Sequence, residues 1–80
     1  METLLQCKTG RDILQLTKNF SKSTAIGCFF NIAEIEKFTV TSVVAADGKA
    51  ILSLADGKSD ICAITVNTTD QYLTIYSLEH

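Results

Sequence analysis

The sequence predicts a small α+β protein, with one amphipathic N-terminal helix packed on a four- or five-stranded antiparallel β-meander. Three observations predict it. Between residues 10 and 23 the apolar residues recur with helical spacing. After about residue 25 the apolar period shortens to two. Asp47-Gly48 and Asp56-Gly57 then separate strand-like runs, and Asp-Gly is a favoured pair in two-residue hairpin turns.

The elements follow in order. Thr3 to Cys7 is short and apolar enough for an edge strand. Thr9-Gly10-Arg11-Asp12 reads as a helix start, because a threonine three residues before an acid can cap the first amides reciprocally. In the helix over residues 10–23, Ile13, Leu16, Thr17 and Phe20 share one side. Lys8, Arg11, Gln15, Lys18 and Lys22 share the opposite one. "AIGCFFNI" then alternates, with Ile26, Cys28, Phe30 and Ile32 on one face. "AEIEK" is a loop or a single helical turn. "KFTVTSVV" places Phe38, Val40 and Val44 on one face, with Thr39, Thr41 and Val43 on the other. "AILSL", "ICAITV" and "YLTIY" continue the β-branched and aromatic vocabulary of strands. Thr69-Asp70 marks a third reversal. In the expected core, Ile13, Leu16 and Phe20 face Val40, Leu52, Leu54, Ile64 and Leu73.

At 80 residues the chain is one domain, read as residues 1–77. Residues 78–80, Leu-Glu-His, read as an expression-tag remnant and are set aside from fold reasoning. That removes the only histidine and one of nine acids, so the remainder is close to neutral against seven basic residues. Global charge therefore makes no case for nucleic acid or membrane. A chain of this length buries only about 60% of its unfolded surface. Yet 46% of its residues are hydrophobic, so part of that surface is expected to meet another chain. No apolar run approaches the ~18 residues of a membrane span, and no signal peptide shows at the N-terminus. Cys7, Cys28 and Cys62 are an odd, widely spaced set, which suits reduced thiols in the cytoplasm better than a disulfide framework. Asn67-Thr68-Thr69 matches a glycosylation acceptor, a chance match without a secretory signal.

The catalytic inventory is thin, and the chain is read as a non-enzyme. Gly57-Lys58-Ser59 has the last letters of a phosphate-binding loop. The motif needs a glycine five residues before Gly57, where Leu52 stands, and a helix after the lysine, where "DICAITV" reads as strand. With His80 assigned to the tag, no Cys-His or Ser-His pair is available. Cys28 and Cys62 are expected as core. Glu34 with Glu36, and Asp56 with Asp60, are too few oxygens for a divalent ion, and zinc lacks ligands, so no metal or cofactor is expected.

Two surfaces remain. Tyr72, Thr74 and Tyr76 alternate on one face of the last strand, beside Ile61, Ala63 and Thr65, then Ile51 and Ser53, then Thr39, Thr41 and Val43. Such a face suits an ordinary half-wet sheet, and equally a contact surface for a protein partner or a second copy, a homodimer being the simplest form. Residues 71–77, the terminal strand, are expected to be an edge with unpaired amides. The second surface is the basic stripe of Lys8, Arg11, Lys18 and Lys22, opposed only by Asp12. A solvated helix face explains it, and a dock for phosphates or an acidic partner is the functional alternative. It has no aromatic residue to stack a base. The expected function is thus a small dimer, adaptor or inhibitor acting through the sheet face or edge. Nucleic-acid binding by the helix is the second choice.

Overall fold

The computed structural model describes residues 2–25 and 30–78. In chain order the elements are α1 (Glu2–Leu5), α2 (Gly10–Leu16), β1 (Ser21–Thr24), α3 (Ile32–Glu36), β2 (Thr39–Ala46), β3 (Lys49–Ala55), β4 (Asp60–Asn67) and β5 (Tyr72–Ser77). The α+β class holds. The four strands β2 to β5 form the expected antiparallel meander. The sheet is nevertheless mixed, because β1 adds a fifth strand parallel to β5, giving the order β1-β5-β4-β3-β2. This parallel pair joins segments about fifty residues apart, which no local pattern announces. It also overturns the expected edge, because β5 lies between β1 and β4. The edges are β1 and β2.

The turns follow the Asp-Gly chemistry to different degrees. Asp47 (φ 51°) and Gly48 (φ 76°) both take positive φ and join β2 directly to β3. That is the two-residue hairpin in which both central residues need the left-handed region. Gly57 also takes positive φ (107°), but its turn is wider, spanning residues 56–59. There the Asp56 carboxylate accepts from the amides of Lys58 and Ser59 at 3.0 and 3.4 Å. The third turn hangs on Asn67, whose side-chain oxygen accepts from the Asp70 amide at 2.8 Å. Thr68 donates its amide and its hydroxyl to the Gly48 carbonyl, so the first and third turns brace each other.

The principal helix is shorter than expected and ends at Leu16 instead of residue 23. Its start is as read: Thr9 and Asp12 form a reciprocal capping box. Its end follows from what comes next. Thr17 is buried and turns its hydroxyl back onto the Ile13 carbonyl at 2.8 Å. Thr17, Asn19, Ser21, Ser23 and Thr24 all favour caps, turns or strands over helix interiors. Lys22 then closes the end, its Nζ donating to the carbonyls of Thr17 (2.9 Å), Phe20 (3.2 Å) and Lys18 (3.4 Å). The buried side of α2 is also rotated. Gly10, Ile13, Leu14 and Thr17 face inward, whereas Leu16, expected in the core, is exposed. Phe20 lies beyond the helix but still packs on the core.

Three further expectations change. Residues 2–5 form a helical turn in place of an edge strand, burying Leu4 and Cys7, which stand three apart. Ile26 and Cys28 lie outside the described residues, and Ile32 opens a helix instead of continuing a strand. There Asn31 and Glu34 make a second reciprocal capping box, so "AEIEK" is the helical-turn alternative. Phe30 and Phe38 meet edge to face across it, ring centres 5.3 Å apart. Finally, a bulge between Val40 and Ser42 inverts the alternation of β2. Val40 and Val43 therefore pack on the core, while Val44, expected inside, is exposed.

Helices and sheet enclose one cluster. Ile13, Leu14 and Ile35 meet Leu52, Leu54, Ile64, Val66, Leu73 and Ile75. Gly10 is buried where α2 crosses α3, with its amide on the Phe38 carbonyl at 2.9 Å. A side chain there would run into the Ile35 backbone carbonyl.

Candidate interaction surface

The sheet face turned away from the core cluster is built by strand alternation. Leu52, Leu54, Ile64, Val66, Leu73 and Ile75 point to the core, so their neighbours point outward. One row crosses all five strands in direct register: Ser23, Thr74, Thr65, Ile51 and Val44. A second carries Tyr76, Ala63, Ser53 and Ser42, and a third Tyr72, Asn67, Lys49 and Ala46. Ser23 and Thr74 hydroxyls lie 3.3 Å apart, tying the parallel strand to this surface.

Lys49 is the one formal charge in these three rows. Four large side chains stand out from them: Val44 (64% exposed), Ile51 (50%), Tyr72 (43%) and Tyr76 (38%). Between Ile51, Thr65, Asn67, Tyr72 and Lys49 lies a shallow depression of about 180 Å³. Interface centres are poor in charge and rich in tyrosine, which combines apolar area with a hydroxyl that tolerates water.

Tyr72, Thr74 and Tyr76 thus sit together as the sequence suggests. Ile61 does not join them. The register shift at the start of β4 sets it aside, and it is half-buried against the core cluster. Val43 leaves the face for the core, and Val44 takes its place. The bulge that exchanges them has no signature in "VTSVV".

The basic residues are dispersed over different elements. Only Arg11 lies within α2. Lys8 precedes its cap, Lys18 follows its end, and Lys22 belongs to β1. The Lys22 ammonium is engaged with the carbonyls of Thr17, Lys18 and Phe20, in the turn that follows α2. The Asp12 carboxylate accepts from the amides of Lys8 (2.9 Å) and Thr9 (3.1 Å). Those bonds, Lys8 first, hold Asp12 below its ordinary pKa, so it is firmly ionised beside the basic residues at neutral pH.

A cleft of about 370 Å³ beside α2 is lined by Gln6, Cys7, Asp12, Gln15 and Leu16. Burial first, and then the Asp12 charge, push the Cys7 thiol above its ordinary pKa. A protonated thiol is a poor nucleophile. Among the described residues no group of three or more His, Cys, Asp or Glu converges for a metal ion. Among them, too, no helix is long and apolar enough to cross a membrane. The chain matches no family model, no curated protein and no solved structure.

Proposed function

We propose that this chain is a small non-enzymatic interaction protein of the cytoplasm, an adaptor or inhibitor that seats another protein on its open sheet face. The observation that carries the reading is the near absence of charge across the three open-face rows, together with the exposed Val44, Ile51, Tyr72 and Tyr76. A small domain usually hides such side chains or uses them. Tyr72, Thr74, Tyr76 and Ile51 form the centre of the docking surface, and Lys49 lies at its rim.

The test is site-specific cross-linking in cells that make the protein. A photoreactive residue at Ile51 or Tyr76 should capture a discrete protein, and the same residue at Arg11 should not. Capture from Arg11 alone would move the function to the helix side and overturn the reading.

A further inference from the structure

We infer that a second copy of this chain pairs with the outer edge of β2, antiparallel and centred on Val44, to make a continuous ten-stranded sheet. This goes beyond the face reading, since the edge and the face can succeed or fail separately.

The backbone defines the edge. In the two-residue hairpin, Ala46 and Lys49 flank the turn and exchange hydrogen bonds, so Val44 and Ser42 also bond inward to β3. Val43 and Ala45 therefore turn their amides and carbonyls outward. The outward amide of Val40 is already taken, bonded to the Lys8 carbonyl at 2.8 Å, and Thr9 bridges Thr39. Among the described residues no backbone bond beyond the β2–β3 ladder is recorded at Val43 or Ala45. The open stretch is thus residues 41–46, closed at one end by Lys8 and Thr9 and at the other by the Asp47-Gly48 turn.

That stretch, "TSVVAA", contains no charge and no proline, the usual guards of an edge strand. The bulge between Val40 and Ser42 lies next to the stretch already covered, and α1 approaches β2 as well.

The register of the open stretch is self-complementary, which fits a second copy. An antiparallel copy centred on Val44 pairs Val43 with Ala45 of the second copy, and Ala45 with its Val43. All four outward groups on each strand are then satisfied, and the two Val44 side chains meet on the open face as a close non-hydrogen-bonded pair. Centring on Ala45 would set Val43 against Asp47, whose positive φ takes it out of a strand. Centring on Val43 would drive Ala46 of the second copy into the position held by Lys8. With Val44 at the centre, the second copy turns away at Gly48 where Lys8 begins. Antiparallel pairing also brings the Asp47-Gly48 turn of each copy beside Lys8 of the other, where Lys49 and Asp12 lie close by as well, so charges of both signs sit at the two ends of a neutral centre.

Six residues of strand make a contact well below the ~1,200 Å² of a standard interface, so the dimer is a weak one. Sedimentation velocity up to about 1 mM tests it. The expected result is a reversible dimer, with exchange protection at the Val43 and Ala45 amides that rises with concentration. Val44→Lys places two like charges together at the symmetry axis, and Ala45→Pro removes an outward donor without touching the inward ladder. Each should leave the protein monomeric at about 1 mM while retaining the parent's circular dichroism. Tyr72→Lys with Tyr76→Lys should leave the dimer intact, which separates this edge from the open face. A protein monomeric at 1 mM would overturn the proposal, as would a dimer that survives both edge variants or one lost with the tyrosines alone.

Discussion

Replacing Gly10 with alanine sets two physical effects directly against each other. Gly10 opens α2 without positive φ, so alanine is conformationally permitted, and its helix propensity favours it by about 0.5–1 kcal/mol. Against this stands the contact with α3. The added methyl group would overlap the backbone carbonyl of Ile35, which cannot swing aside as a flexible side chain would. Ile35 is fully buried, so the two helices must separate within a packed core. Overpacking of this kind costs about 1–3 kcal/mol. Two nearby bonds, from the Gly10 amide to Phe38 and from the Val40 amide to Lys8, are strained in addition, each worth about 1 kcal/mol. The net expectation is a loss of about 2 kcal/mol, or a fall in melting temperature of about 8–16 °C for a domain of this size. Urea denaturation, with the slope of the transition checked for constancy, measures it. An alanine variant as stable as the parent, or more so, would refute the close approach of α2 and α3.

Other perturbations follow from single features. Gly48→Ala and Gly57→Ala should each cost about 1 kcal/mol or more in thermal melts, because both positions hold positive φ. Gly48→Ala additionally crowds the Thr69 hydroxyl, so a neutral result there would deny the paired turns. Lys22→Met keeps the aliphatic stem but removes the ammonium from three carbonyls, and should lower stability by about 0.5–1 kcal/mol, read by chemical denaturation. Asp12 and Asp56 are both held below their ordinary pKa, chiefly by backbone amides, those of Lys8 and of Lys58 first. Their contribution is therefore present above the unfolded-state value near 3.8 and is lost as pH falls through the lower folded-state values. An Asp12→Asn, Asp56→Asn double variant should show a flatter loss of stability below pH 4 than the parent, and an identical acid profile would contradict it.

What the sequence could reveal divides along physical lines. Signals confined to a few neighbouring residues were legible. Thr9 and Asp12 announce their capping box, Asp47-Gly48 its hairpin, and "ILSL" and "YLTIY" their alternation. Features set by distant contacts were not. The pairing of Ser21–Thr24 with β5 rests on residues some fifty positions away, and it turned an expected edge into an interior strand. The end of α2 at Leu16 was readable in principle, since Thr17, Asn19 and Ser21 are weak helix formers, but the periodicity of Phe20 argued the other way. At the candidate surface, Tyr72, Thr74 and Tyr76 followed from alternation alone. Val44 was missed and Ile61 misplaced for one reason. Each lies at or just beyond a register shift, and one extra residue reverses a period of two.

We place the partner on the open sheet face and not on the basic helix side. Affinity capture from the native host with three forms of the protein tests it most directly: the parent, Tyr72→Lys with Tyr76→Lys, and Arg11→Glu with Lys18→Glu. All substituted positions are exposed, so each form should keep the parent's fold. The expected result is a discrete protein partner that is retained by the parent and the helix variant and lost from the tyrosine variant. Partner binding unchanged in the tyrosine variant, or nuclease-sensitive material lost only when Arg11 and Lys18 are reversed, would contradict it.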